Sequence, residues 1–405
     1  MPPALPEEMI VAKRRFELPG IHELSKEQEK AIRLPLEGRH LIIGGPGTGK
    51  TVVTLLRLRR YLQQSREADC IFLVYNHLLH ATAQQLFGKK MKSATWTSWF
   101  FRLYRARLKT PVPTIEADSG FQPIDWPSVI QNITERSNVE PPEPLFIFID
   151  EGQDMPPEFY SALKWLGYEH FFVVADQNQA ITADNSSRQQ LQNELAIKTE
   201  DVIELTHNYR NALPVARLAG EFYPDDPATP PVDLPSVPGS TQTPVLIEYG
   251  PGCRLNFDGV CTRLLKMTDR DPARLIGVIS PTNDVRIKYL ETLRRQVQSG
   301  GLSFDNHRPR IGTYAAGEKS NIRFDEGGIF LINAKSCKGL EFDTVFIADV
   351  NAFHCFPSIR DEIKRLFYVM TARAIERVII LKEHQAETPL DAILPDDPDT
   401  LRHWR

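Results

Sequence analysis

Cysteine is scarce in this chain of 405 residues: Cys70, Cys253, Cys261, Cys337 and Cys355 are all there is, and no two are spaced C-x-x-C. That excludes a disulfide framework and points to reduced thiols, as in a cytoplasmic protein. Long hydrophobic runs are missing as well. No uninterrupted apolar stretch approaches the ~20 residues a helix needs to cross a bilayer. Met1 to Gly20 carries charges throughout and has no apolar centre, so no signal peptide is expected. Nor is there an excess of one charge: a net charge of −4 gives no global pull toward nucleic acid or membrane, and any polyanion site must be a local patch. Internal repeats and long disordered tracts are absent too. The expectation is a cytoplasmic protein of two or three domains with ample core and no membrane partner.

What is present begins at Leu41-Ile-Ile-Gly44-Gly45-Pro46-Gly47-Thr48-Gly49-Lys50-Thr51, an apolar run that breaks into a glycine loop. The spacing Gly44-x-x-x-x-Gly49-Lys50-Thr51 is that of a phosphate-binding loop leading from a strand into a helix. Glycines let the backbone turn sharply and aim successive N–H groups at phosphate oxygens. Lys50 would reach the β- and γ-phosphates, and the Thr51 hydroxyl would join a Mg²⁺ shell that keeps several waters. The reading is a nucleoside triphosphate with Mg²⁺.

A second acidic site follows at Leu145-Phe-Ile-Phe-Ile-Asp150-Glu151-Gly-Gln153-Asp154. An apolar run ending in Asp is how a buried strand delivers a carboxylate to the phosphate end of a parallel sheet. Asp150 would hold Mg²⁺, and Glu151 would orient and deprotonate the attacking water.

Between and beyond these motifs, strand-like runs alternate with helical segments. One series is His40–Gly44, Cys70–Tyr75, Leu145–Asp150, Phe171–Asp176 and Val202–Leu205. The other is Pro244–Tyr249, Leu275–Ser280, Gly328–Asn333, Thr344–Asp349 and Arg377–Leu381, with helices such as Asn283–Gln298 and Asp361–Arg373 between strands. Alternation of this kind predicts an α/β chain of two doubly wound parallel sheets. Residues 222–245 are crowded with prolines and read as an irregular surface connection.

Further motifs follow one another in a recognisable order. Asp150-Glu-x-Gln-Asp154 resembles motif II of the UvrD/Rep/PcrA-type superfamily 1 helicases. Leu24-Ser-Lys-Glu-Gln28 resembles their Q motif, and Ala175-Asp176-Gln-Asn-Gln179 their motif III. Leu205-Thr-His-Asn-Tyr209-Arg210 resembles motif IV, Lys338-Gly-Leu-Glu341-Phe motif V, and Arg365 to Arg373 motif VI. The resemblance implies two RecA-like domains of the P-loop NTPase class with ATP between them. It implies that Gln28 reads the adenine edge, Gln179 senses the γ-phosphate, Tyr209 stacks on adenine and Glu341 contacts ribose. It also implies that Arg210 and Arg373 act as arginine fingers, and that the motor tracks single-stranded DNA 3′ to 5′. The domains are then expected at 1–200, with a small insertion at about 109–144, and at 201–385, with a tail at 386–405.

For nucleic acid the informative stretch runs from Lys89 to Lys109. It holds no acidic residue and interleaves cations with aromatics, as a single-strand groove would. Thr95, Trp96, Arg102 and Arg105 are candidates there, with Thr95 to Phe100 similar to the family's motif Ib and Asn76 falling where motif Ia lies. The aromatics admit a second reading, as the buried face of a helix. Two departures stand out. Where the family places base-stacking aromatics after motif III, this chain has Thr182 and Asp184. Neither 109–144 nor 300–326 has room for the family's large insertions. Two functions remain: a single-strand motor acting on DNA or RNA, or an ATP-gated switch that recruits a partner protein such as a nuclease or a repair or defence factor.

Overall fold

A computed structural model describes residues 18, 20–64, 70–74, 92–116, 122–135, 145–176, 185–223, 232–235, 240–305, 308–314, 326–354, 357–384 and 389–405. The chain divides into two compact units, with the boundary between Tyr209 and Arg210. That boundary is later than the expected residue 200, because the strand at Ile203–Leu205 pairs with the strand that feeds the glycine loop and so belongs to the first sheet.

In the first domain the strands are β1 (Arg39–Gly44), β2 (Cys70–Val74), β3 (Ser93–Thr95), β4 (Phe146–Ile149), β5 (His170–Ala175) and β6 (Ile203–Leu205). They form one parallel sheet in the order β3-β2-β4-β5-β1-β6. Residues alternate strictly between its faces. Leu41, Ile147, Ile149, Val173 and Ala175 share one core, whereas Ile42, Phe72, Phe148, Phe172 and Val174 share the other. Burying each such side chain contributes roughly 1.5–3 kcal/mol, which is what makes a strand lined on both sides by apolar residues need helices on both sides. Those helices are α1 (Lys26–Arg33), α2 (Lys50–Gln64), α3 (Trp96–Leu108), α4 (Trp126–Glu135), α5 (Pro157–Trp165) and α6 (Arg188–Leu195).

Two of these helices are joined by a buried cation. Arg57 of α2 is fully buried and donates to the carbonyls of Ile32 and Leu34 at 3.2 and 2.8 Å, as well as to Pro35. The C-terminal carbonyls of α1, which lack intrahelical donors, are thereby satisfied from the neighbouring helix. Phe172 lies 4.6 Å from the same guanidinium. Burial lowers the Arg57 pKa to about 10, with the charge of Arg60 adding to the effect. The result is that α1, which carries Gln28, is held to the helix that starts at the glycine loop.

The segment expected as an insertion at 109–144 is, where described, part of the domain core. Val112, Val129 and Ile133 are buried with Trp96 and Phe100, because α4 presents an apolar stripe to α5 and α3. Trp96 stacks near Trp126 at 6.5 Å and meets Phe159 edge-on at 5.2 Å.

In the second domain the strands are β7 (Val245–Tyr249), β8 (Leu275–Ser280), β9 (Ile311–Thr313), β10 (Gly328–Asn333), β11 (Phe342–Ile347), β12 (Ala374–Glu383) and β13 (Arg402–Trp404). They form a second parallel sheet in the order β13-β7-β12-β11-β8-β10-β9. Helices α8 (Phe257–Arg270) and α9 (Asn283–Gln298) cover one core, while α7 (Leu213–Glu221) and α10 (Arg360–Thr371) pack together and against β12.

Two expectations change here. The tail expected at 386–405 is, where described, part of the second sheet: β13 adds a seventh strand beside β7, with Arg263 4.7 Å from the centre of the Trp404 ring. The connection at 222–245 starts inside the protein, since Phe222 and Tyr223 are buried against Phe367 and Tyr368. No helix among the described residues is long and apolar enough to cross a membrane.

Candidate nucleotide site

β4, β5 and β1 are neighbours in the first sheet, and each hands a functional group to the same end. β1 leads into the glycine loop, β4 into Asp150 and Glu151, and β5 into Asp176. In open α/β sheets this carboxyl end of the strands is where ligands bind.

The loop is shaped by backbone that other residues adopt with difficulty. Gly47 and Gly49 have φ of 79° and 84°. A side chain at Gly49 would also meet Gln28, whose Nε2 lies 2.5 Å from where a Cβ would sit. Gln28 itself is buried, and its Nε2 donates to the Thr48 carbonyl at 2.9 Å while its Oε1 accepts from the Ser25 N–H at 2.9 Å. The residue expected to read adenine is thus fastened to the loop through a capping box on α1. From the other side the Tyr209 N–H donates to the Gly47 carbonyl at 2.9 Å. The Tyr209 ring is 54% exposed beside His207, an open aromatic face of the kind a purine stacks on.

Around the loop the charged groups form one connected set. Lys50 Nζ donates to the Gly45 carbonyl at 2.7 Å and to Asp176 Oδ2 at 3.1 Å, both side chains being buried. The Thr51 hydroxyl donates to Asp150 Oδ2 at 2.7 Å. The Asp150 pKa is pushed up to about 6, first by burial and then by the neighbouring Glu151 charge, against the opposing pull of Thr51 and Lys50. Glu151 sits in the left-handed region (φ 53°) at the head of a short turn, 152–154. Gln153 Nε2 donates to Glu151 Oε2 at 2.7 Å, and Gln153 Oε1 accepts from the Asp176 N–H at 2.8 Å. Gly152 makes the turn possible: a Cβ there would lie 2.4 Å from Val173 on β5.

This donor set fits a hard divalent cation. Thr51 and Asp150 bring two oxygens together from different elements, as Mg²⁺ sites do, and a buried carboxylate whose ionisation is disfavoured gains from a cation beside it. Gln153 and Asp176, quoted in the motifs above but given no role, belong to the site. Asp176 has a visible signal, an Asp ending an apolar run as Asp150 does.

In the second domain, sequence-distant motifs converge on one patch. Arg210 pairs with Glu341. The neighbouring Asn211 donates to the carbonyls of Ala372, at 3.1 Å, and Ala374, so it straddles Arg373. The Phe342 N–H donates to the Arg373 carbonyl at 2.9 Å. Arg373 is only 2% exposed; its Nε donates to the Val369 carbonyl at 3.1 Å, and its buried Nη2 has no hydrogen-bond partner among the described residues. A buried guanidinium nitrogen without an acceptor is costly, and an anionic ligand would remove that cost. Asn211 escaped the sequence reading because nothing but the fold brings it against Arg373.

The nucleic-acid candidates fare differently. Trp96 is buried in the core and is not available to a base, which corrects that expectation. Thr95 is also buried, with its hydroxyl donated to Ser98 Oγ at 2.9 Å. Trp96, Phe100, Tyr104 and Leu108 fall on one buried stripe of α3, while Arg102 and Arg105 lie exposed on its other side. Asn76, Gln179, Thr182 and Asp184 lie outside the described residues.

Elsewhere, Glu248, Cys253 and His384 bring three metal-type ligands together, the one such group among the described residues. Both ring nitrogens of His384 are engaged, by Glu248 at 3.1 Å and Arg405 at 2.8 Å, and Lys382 stands 4.0 Å from Glu248. The cluster already holds its own cations and fastens the sheet edge.

Residues 28–185 match the family model described as an AAA domain, and residues 313–385 match that of the UvrD-like helicase C-terminal domain. Among solved structures, the C-terminal domain of a possible DNA helicase from Lactobacillus plantarum WCFS1 aligns at 14% identity and a TM-score of 0.33, over 48% of this chain and 97% of that one. No curated protein matches.

Proposed function

Since the chain belongs to the UvrD-like helicases, we propose that it is an ATP-hydrolysing translocase that tracks single-stranded DNA from 3′ to 5′. The observation that carries the hydrolytic part is the connected set Lys50, Thr51, Asp150 and Glu151 at the carboxyl end of β1 and β4. In this reading the loop N–H groups and Lys50 hold the phosphates. Glu151, its carboxylate oriented by the Gln153 amide, receives the attacking water and takes its proton. Thr51 and Asp150 would hold Mg²⁺, which when bound neutralises charge on the phosphate oxygens. Arg210 and Arg373 take the finger role, stabilising charge that develops during transfer, with Asn211 fixing the backbone on which Arg373 stands. Tyr209 offers its exposed ring to adenine, and Glu341 is assigned to the ribose.

Grip on the strand falls to Arg102 and Arg105, since Trp96 and Thr95 are buried. A site built on phosphate contacts without stacking binds in a strongly salt-dependent way. The same observation favours a second reading, an ATP-gated switch that recruits a partner protein and unwinds little. ATP turnover measured with and without single-stranded DNA or RNA separates the two. Stimulation by the strand supports the translocase. Turnover indifferent to any strand, with no binding at low salt, leaves the switch.

A further inference from the structure

Lys50 is not idle while it waits for phosphate. Its ammonium lies in the interior, spends one donor on the Gly45 carbonyl and another on Asp176, and forms with Asp176 a buried ion pair across 126 residues of sequence. A buried ammonium without a counter-charge is strongly unfavourable, and so is a buried carboxylate. Asp176 therefore balances the charge of the lysine and holds it in place. The same carboxylate must stand close to the phosphate that Lys50 binds, and like charges repel there.

Gln153 adds the second half. It is fully buried, and its amide orientation is settled by its partners: the Asp176 N–H requires an acceptor, so Oε1 faces β5 and Nε2 faces Glu151. One side chain thus spans the distance from the residue that pairs with Lys50 to the residue read as the base.

We infer that Asp176 is a built-in counter-ion that competes with nucleotide phosphate for Lys50, and that Gln153 ties that pair to Glu151 as a positioning residue. Nucleotide binding then has to draw Lys50 from Asp176, and any movement of the Asp176 backbone is passed to the carboxylate of Glu151. The inference rests on the loop being a phosphate site.

The test uses the whole chain with Mg·ATP and a non-hydrolysable analogue. Asp176→Asn removes the competing charge and should tighten analogue binding by on the order of tenfold, the size expected for one charge a few ångström from another in a partly polar interior. A merely structural aspartate would give the opposite, weaker binding. Gln153→Met, similar in size but without hydrogen bonds, should cut kcat by about tenfold while leaving the analogue Kd within about twofold, since orientation of the base matters only in the chemical step. Folded Asp176→Asn with unchanged or weaker binding overturns the counter-ion. An unchanged kcat in Gln153→Met overturns the tie.

A stability cycle keeps the counter-ion testable if Asp176→Asn alone does not fold, or if the chain binds no ATP at all and the functional reading fails. Lys50→Met removes the counter-charge of the buried Asp176 and should lower the melting temperature by several degrees, and adding Asp176→Asn to it should restore most of that loss. No restoration in the double variant contradicts the pair.

Discussion

Two buried strands, one in each domain, end in the same way. β4 runs into Asp150 and Glu151, and β11 into Ala348 and Asp349; the second residue past each strand is left-handed, with φ of 53° at Glu151 and 43° at Asp349, and each heads a short helical turn. Their surroundings differ. Asp349 is saturated: Oδ1 accepts from Tyr249 at 2.5 Å and Tyr289 at 2.7 Å, and Oδ2 faces Lys288 at 3.4 Å. Burial and the Asp349 charge push both tyrosine hydroxyls to higher pKa, so they remain donors. In the first domain Asp150 accepts from the Thr51 hydroxyl and from the Glu151 N–H, and Glu151 accepts from Gln153, among glycine loop backbone and a lysine. The same backbone device serves as a fastening in one sheet and, in the proposed reading, presents the base in the other. What separates them is the chemistry around them: two tyrosines and a lysine at Asp349, a glycine loop with a hydroxyl, an amide and a lysine at Asp150 and Glu151.

The largest effect is expected on neutralising the two left-handed carboxylates in turn. Glu151→Gln should lower kcat by about 10⁴-fold, the upper range for loss of a general base, while nucleotide still binds. Asp349→Asn should leave kcat within a few-fold. Steady-state turnover beside analogue binding reads both, and equal losses would erase the distinction. Next in size are Arg210→Ala and Arg373→Ala, each expected to slow hydrolysis by about 10³-fold, the low end for an arginine finger, with a smaller change in affinity. Loss of affinity at unchanged kcat would reassign them to ground-state phosphate binding.

Stability should move in opposite directions at the two strand ends. The raised Asp150 pKa means that its neutral form is favoured on folding. The associated stability is present below the unfolded value near 4 and is lost as pH rises through about 6. At pH 8 and without nucleotide, Asp150→Asn should therefore be more stable than the parent, by on the order of 1–3 kcal/mol, and the gain should shrink toward pH 4. Asp349→Asn should instead cost about 1–3 kcal/mol at pH 8, because three donors lose a charged acceptor. Urea melts at the two pH values decide; a destabilised Asp150→Asn at pH 8 would show that the first site is as self-satisfied as the second.

Much of this was legible in the chain. The runs at Leu275–Ser280 and Gly328–Asn333 and the helix at Asn283–Gln298 are long, periodic or bounded by turn residues, and they fold as read. β3, β9 and β13 are three-residue edge strands, too short to show a period, and sheet pairing alone defines them. The spacing of Trp96, Phe100, Tyr104 and Leu108 by four already marks a core stripe, yet the interleaved arginines resemble a nucleic-acid groove equally well. Only the packing of α4 and α5 decides. Lys50 and Asp150 were readable because their motifs are local. The Lys50–Asp176 pair and the hold of Asn211 on Arg373 join residues more than a hundred positions apart, and no local pattern records them.

The smallest expected effect concerns the exposed cations of α3. If Arg102 and Arg105 contact the strand, replacing both with Gln should lower the salt slope of single-strand binding by about 1.4, two contacts at about 0.7 each. An unchanged slope would move the contacts elsewhere.

Directed movement along the strand is what separates a translocase from a switch. Stopped-flow arrival at the 5′ end of labelled single-stranded DNA of increasing length, with Mg·ATP, tests it most directly. A translocase gives a lag that grows linearly with strand length and disappears in Glu151→Gln. A lag independent of length, with ATP turnover intact, would contradict translocation and identify the chain as an ATP-gated switch.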